Sequence, residues 1–259
     1  MPAARPAATV VLVRDDPASG GLQVFLQRRV SAMAFAGGMT VFPGGGVTPG
    51  DRLDRTPGPG GLDWRGPDAG WWARRFGVAS AADAAALVVA AVRETFEECG
   101  VLLAGPGTVE GHARDDLVAG VRTLPDVLAA AGLPLRADLL APWARWVTPE
   151  AEPRRYDTAF FVARLPENQE ADARTTEAVE ATWWSPADAL AGAGRGALRL
   201  LPPTRHTLED VAAYPSAAAV LDAARHRTVG AYRPVLSRTG GRLVVTVPDA
   251  GLRFDLGPA

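Results

Sequence analysis

The chain contains no lysine. All 27 of its basic residues are arginine, set against 29 acidic ones for a net charge of −2. That balance offers no basic footprint for nucleic acid or for an anionic membrane surface. The missing lysine marks a GC-rich genome rather than a function. A single cysteine, Cys99, excludes an intrachain disulfide. The three histidines, His112, His206 and His226, have neither metal-ligand spacing nor a nucleophile motif beside them. No apolar run is long enough to span a bilayer. The first residues, Met1-Pro2-Ala3-Ala4-Arg5-Pro6, lack the apolar core of a signal peptide, and the last, Gly257-Pro258-Ala259, lack a Ser-Lys-Leu type of address. The expectation is a cytoplasmic protein with no membrane and no nucleic-acid partner.

What is present supports a sizeable core. With 47% hydrophobic residues in 259, a single elaborated domain over residues 1–259 is expected. Apolar, β-branched stretches predict strands over residues 7–13 and 22–27, and a short one over 39–42. Residues 52–80 turn to Pro, Gly, Asp and Trp, the composition of a surface excursion. Ser80 to Asp83 has the form of a capping box opening a helix that runs to Cys99 and stops at Gly100. Leu87, Val88, Ala91, Val92, Thr95 and Cys99 would be its buried stripe. A second helical stretch over 115–131 is expected to break at Pro125. Strands over 145–148, 158–164 and 179–184 follow, then helices over 186–191, 207–213 and 216–226. A hairpin of 235–238 with 243–247, turned at Thr239-Gly240-Gly241, comes last. Strands mixed irregularly with helices predict an α/β (α+β) fold with a mixed central sheet covered by helices.

The most informative segment is Arg93-Glu94-Thr95-Phe96-Glu97-Glu98-Cys99-Gly100. Glu94, Glu97 and Glu98 stand at i, i+3 and i+4, so their side chains converge on one helical face. Crowded like charges repel unless a cation neutralises them, and a hard divalent ion suits carboxylate ligands. Upstream lies Phe42-Pro43-Gly44-Gly45-Gly46, followed by Asp51. Those glycines let backbone pass close to a ligand or metal.

Together the two segments resemble the Nudix box, Gly-x5-Glu-x7-Arg-Glu-U-x-Glu-Glu-x-Gly-U, where U is apolar. Gly45 takes the first glycine, Arg93 through Glu98 the charged core, and Gly100 with Val101 the close. Two departures stand out. Asp51 replaces the family's glutamate, and 41 residues separate it from Arg93 where the pattern has seven. A box split in this way is similar to that of the coenzyme A diphosphatase subgroup of Nudix hydrolases. Residues 154–161, 183–186 and 201–204 are similar to its later segments.

The resemblance implies a Nudix α/β/α sandwich, here with an insertion over about 52–80 and a C-terminal extension over about 203–259. It implies Mg²⁺-dependent hydrolysis of a nucleoside diphosphate linked to another group, with Mn²⁺ as the alternative ion. The substrate would be coenzyme A, acyl-coenzyme A, or an ADP-ribose- or NADH-like compound. By motif position Glu97 and Glu98 are metal ligands, and Glu94 is a third ligand or the general base. The carbonyl of Gly44 or Gly45 would complete the shell. Arg93 would pair with Asp51, with an i, i+4 pair to Glu97 as the alternative. One later acidic ligand is expected, Glu177 ahead of Glu180. The rival reading is a catalytically silent Nudix-fold module that binds nucleotides or regulates, and a homodimer stays open.

Other residues have competing readings. Arg28 and Arg29 either hold substrate phosphate or are charges at a strand end. Cys99 is a core thiol before it is a nucleophile. Trp64, Trp71 and Trp72 either stack on a base or anchor the insert. If Asp51 meets Arg93, residues 52 to about 80 must leave the fold and return. Trp71 and Trp72 are then expected to pack near the mouth of the active site, where the insert would wall the pocket and tune substrate preference. A coenzyme A signature is echoed only in part, over residues 29–38.

Overall fold

Strand β1, Arg5–Asp15, is the axis of the molecule. Its residues alternate between two cores. Ala8, Val10 and Leu12 face one cluster of buried side chains, and Val11 and Val13 face the other. A computed structural model describes residues 3–31, 36–54 and 61–258. Residues 32–35 of the coenzyme A signature, and 55–60 of the insert, lie outside the described residues.

After β1 come β2 (Leu22–Arg29), β3 (Thr40–Val41), β4 (Gly44–Gly46), β5 (Trp64–Arg65), α1 (Ala69–Phe76) and α2 (Ala81–Cys99). Next are α3 (Ala113–Val118), α4 (Leu124–Ala131), β6 (Leu135–Arg136), β7 (Leu140–Val147), β8 (Tyr156–Arg164) and β9 (Ala178–Trp184). The chain continues through α5 (Pro186–Gly194), α6 (Pro202–Val211), α7 (Ala217–His226), β10 (Ala231–Tyr232), β11 (Val235–Thr239), β12 (Arg242–Val247) and β13 (Leu252–Pro258).

The main sheet is mixed, in the order β10-β7-β8-β1-β2-β3, with β4 also paired to β1 and β9 to β2. Strand β1 runs parallel to β8 and antiparallel to β2 and β4. Its first half holds the glycine loop, Ala8 opposite Gly45, while its second half holds β2. Helices α1, α2 and α4 cover one face, and α6 and α7 the other. The layered, mixed-sheet expectation therefore holds.

Several local expectations are corrected. Ser80 does cap α2, its Oγ accepting from the Asp83 amide at 3.0 Å, and Gly100 ends the helix in the left-handed region. Burial, however, is not one stripe: residues 84–96 are buried on every side, because α2 lies between the sheet and its neighbouring helices. The stretch over 115–131 is divided in two as expected, but Pro125 lies in the first turn of α4 rather than at the break itself. The break falls before it, where Thr123 caps α4 and proline in the first turn loses no intrahelical bond.

The insert is the largest correction. It is no surface loop: residues 69–76 form α1, with Trp72 and Phe76 fully buried. Trp72 packs on Phe161 and Phe76 with centroids 5.4 and 6.0 Å away. Trp64 and Trp71 are half-buried against the same core. All three anchor the insert. At the other end, β13 was not anticipated and adds a third strand to the hairpin. Its signal was the alternation of Leu252, Phe254 and Leu256. Among the described residues no single helix is long and apolar enough to cross a membrane.

Candidate active site

Backbone crowding explains the glycines. Gly44 has φ 155°, and a Cβ there would collide with the Ala8 carbonyl oxygen and Thr9 of the paired strand. A Cβ on Gly45 would strike the Glu94 carboxylate. Glu94 therefore lies flat against the loop only because Gly45 has no side chain.

Arg93 joins the two halves of the split box. Its Nε and Nη2 donate to Asp51 Oδ1 and Oδ2 at 2.7 and 2.9 Å, a two-pronged pair. Nη1 reaches Glu97 at 2.8 Å and Glu94 at 2.9 Å, and Nη2 also donates to the Gly46 carbonyl at 3.0 Å. The two partners proposed for Arg93 are thus held together. Asp51, fully buried, also accepts from the Thr48 amide at 2.7 Å and the Thr48 hydroxyl at 2.9 Å. Burial opposes the charge on Arg93, but the Asp51 bonds and the carboxylates around it outweigh that cost and raise its pKa.

The three glutamates sit in an electrostatically costly place. Burial is the main cause that pushes Glu94, Glu97 and Glu98 above the usual carboxylate range, and mutual repulsion adds to it, only partly offset by Arg93 for Glu94 and Glu97. Glu98 Oε2 accepts from the Gly44 amide at 2.8 Å and from the Gln27 amide group. Its Oε1 is buried with no partner among the described residues. Gln27 was missed in the sequence. Nothing in β2, which also carries Gln23, Arg28 and Arg29, singled it out, yet it is 1% exposed.

The later acidic residues separate clearly. Glu177 pairs with Arg29 at 3.0 Å, and its charge acts on both Glu97 and Glu98. Glu180 pairs with Arg28 at 3.2 Å across the β2–β9 register, with both side chains half exposed. The structure brings Glu177 and Arg29 to the helix carboxylates and leaves Arg28 and Glu180 outside.

A cavity of ≈ 490 Å³ opens beside them. Arg29, Gly44, Gly45, Gly46, Glu94 and Glu177 line its polar side. Glu97 and Glu98, on the same helix, are not among its lining residues. The remaining walls come from β7, β8, the start of α6 and the C-terminal sheet, and no described residue of the insert contributes. The expectation that Trp71 and Trp72 flank the mouth is overturned, because the body of the fold has absorbed α1. Cys99 is fully buried, its thiol bonded to the Thr95 carbonyl at 2.9 Å and pushed up to about 12 by burial, so it is no nucleophile. His206 packs on Trp146 and Tyr232, and His112 and His226 lie at helix ends.

Among the described residues no three acidic, histidine or cysteine side chains converge as they stand into an ion-holding group. The charge nevertheless fits a cation. Glu98 has a buried oxygen without a partner, and the neighbouring carboxylates lie in the same desolvated pocket. Oxygen donors of this kind suit a hard divalent ion.

This mixed sheet, glycine loop and carboxylate helix define a Nudix-type hydrolase domain. A family model described as "NUDT19 Nudix domain" matches residues 73–210, and the chain belongs to the Nudix hydrolase family. It is 30% identical to a NUDIX hydrolase from Alicyclobacillus acidocaldarius, with a TM-score of 0.69 over 86% of this chain and 97% of that one. It is 26% identical to the "Acyl-coenzyme A diphosphatase NUDT19" of Xenopus laevis, over 65% of this chain and 54% of that protein. It is 30% identical to "Putative nudix hydrolase 7" of Caenorhabditis elegans, over 46% of this chain and 42% of that protein. The chain thus spans about half the length of the curated relatives it matches.

Proposed function

We propose that the chain is a Mg²⁺-dependent pyrophosphohydrolase that cleaves a nucleoside diphosphate joined to a second group, with coenzyme A or an acyl-coenzyme A as the leading substrate. The observation that carries this reading is the Glu98 carboxylate, buried beside Glu94, Glu97 and Glu177 with one oxygen unpartnered among the described residues. A domain that only bound ligands would have no use for so costly a cluster. The substrate choice rests on the name of the Xenopus relative.

Glu97, Glu98 and Glu177 would hold the metal, with the Gly45 carbonyl completing the shell. Bound there, Mg²⁺ supplies neutralisation of phosphate charge and acidification of water. Glu94 alone of the helix carboxylates lines the cavity, which supports reading it as the base that would take the proton of the attacking water. The water oxygen bonds to phosphorus as the bridging P–O bond breaks, leaving two phosphate monoesters. Arg29, on the same wall, pairs with phosphate oxygens. Arg93 acts at one remove, by holding Asp51, Glu94 and Glu97 in register.

The test is incubation of the full chain with coenzyme A, acyl-coenzyme A, ADP-ribose, NADH and dinucleoside polyphosphates plus Mg²⁺ or Mn²⁺, with products read by mass spectrometry. Paired monophosphates from coenzyme A or its thioesters are expected. Binding without cleavage across the panel would instead make this a regulatory module.

A further inference from the structure

The cavity has a second, chemically different half. Besides the carboxylates, Thr148, Glu152 and Thr158, its lining includes Leu201, Pro202, Pro203, Leu236, Val245 and Leu256, none of which carries a charge or a side-chain hydrogen-bonding group. Three of these come from the C-terminal sheet. Leu236 lies directly across from Val245, and Val245 across from Phe254. Leu256 is the extra residue of a bulge in β13, opposite the Leu243–Val244 step, and it too lines the cavity. Strands β11, β12 and β13 therefore present one aliphatic face to the cavity. Leu256 remains 46% exposed there, an apolar side chain at the rim of a site whose other half is ionic.

The lining also indicates which apolar group fits. A nucleobase binds by stacking on an open aromatic face. Phe42, Trp146 and Phe160 line the cavity but are 2%, 3% and 5% exposed. Trp146 is further enclosed by Tyr232, His206 and Phe254, at centroid distances of 4.5, 5.7 and 6.5 Å. Tyr156, also in the lining, is only partly buried, but it belongs to β8 and not to the C-terminal sheet or the start of α6. The aliphatic and proline surfaces of those two elements suit a flexible hydrocarbon instead. We infer that the C-terminal sheet and the Leu201-Pro202-Pro203 segment form an acyl-chain arm of the active-site cavity, with Leu236 and Leu256 setting the preference for chain length. This rests on the reading above that the carboxylate end takes the diphosphate.

The arm makes a graded demand. At about 0.8 kcal/mol for each buried CH₂, every methylene that enters it should lower KM roughly threefold to fourfold, until the chain outgrows the arm. The experiment measures hydrolysis of coenzyme A and its acetyl, butyryl, hexanoyl, octanoyl and decanoyl thioesters by the full chain with Mg²⁺. Binding of the same series to the Glu98→Gln variant is measured by calorimetry. The expected result is a falling KM and Kd with chain length, a dependence flattened in Leu256→Asp and Leu236→Asn. Val235→Ser, a change of an exposed neighbour absent from the cavity lining, should keep the wild-type slope. Chain-length dependence of binding without hydrolysis of any member would retain the arm and remove the hydrolase reading. Hydrolysis with KM and Kd indifferent to chain length, or with the same slope in all three variants, overturns the arm while leaving the hydrolase intact. Failure of every member to bind overturns the arm as well.

Discussion

Replacing Asp51 with asparagine tests how a box split by 41 residues is held shut. Asp51 is fully buried and accepts four hydrogen bonds, two from Arg93 and two from Thr48. An asparagine keeps the shape but offers one acceptor oxygen, and it turns an NH₂ toward a guanidinium or amide donor. Arg93 would retain Glu97 and Glu94 at 2.8 and 2.9 Å, so its charge is not wholly abandoned, yet its best-formed pair is gone. Removing one partner of a buried ion pair costs about 3–5 kcal/mol. At about 2–4 °C per kcal/mol for a domain approaching this size, Asp51→Asn should lower Tm by on the order of 6–20 °C. Asp51→Glu, the family's own residue, should not act as a silent change. The extra methylene enters a fully buried site whose carboxylate is already paired and should cost about 1–3 kcal/mol. Urea unfolding of wild type, Asp51→Asn, Arg93→Gln and the double variant gives a coupling energy by double-mutant cycle. Asp51→Asn within about 1 kcal/mol of wild type, or a coupling near zero, would refute the argument that this pair closes the box.

Three further outcomes are expected. Glu97→Gln and Glu98→Gln should each lower turnover at least ~100-fold at saturating Mg²⁺, and Glu98→Gln should stay within about 1 kcal/mol of wild-type stability because it removes a buried charge as well as a ligand; near-wild-type hydrolysis by both would sink the metal assignment. In metal-free protein, burial and then mutual repulsion hold Glu94 and Glu98 well above the usual carboxylate range. The folded state then holds protons that the unfolded chain has already released, so stability should fall as pH rises from about 5 to about 8. Mg²⁺ should flatten that fall by taking the protons' place, and a melting temperature that stays level or climbs across the window without metal would contradict it. Trp72→Ala should cost about 3–5 kcal/mol, measured by thermal unfolding, since Trp72 is wholly enclosed by Phe76, Phe161 and Trp71; a loss under about 1 kcal/mol would return the insert to the surface.

The Arg93 to Gly100 segment disclosed its chemistry in one dimension because helical spacing is a local geometric rule. Three carboxylates at i, i+3 and i+4, a Ser80 cap and a Gly100 stop depend on neighbours a turn away. The apolar runs of β1 and β8 were legible for the same reason. Which distant groups meet the helix was not legible from spacing. Gln27 meets Glu98 only because the fold brings β2 against α2, and Glu177 rather than Glu180 stands beside Glu97 because of the β2–β9 register, in which Arg28 stands opposite Glu180 while Arg29 has slipped past a bulge. The Asp51–Arg93 pair came from the family resemblance, and tertiary structure shows how a long insert can satisfy it: α1 turns back through a 92° bend into α2 and buries Trp72. Composition misjudged that insert, since Pro and Gly around it signal turns but say nothing of where the tryptophans between them are buried. The cavity's aliphatic wall was equally hidden. Leu236, Val245 and Leu256 become one surface only when three strands align, and that alignment belongs to the folded chain.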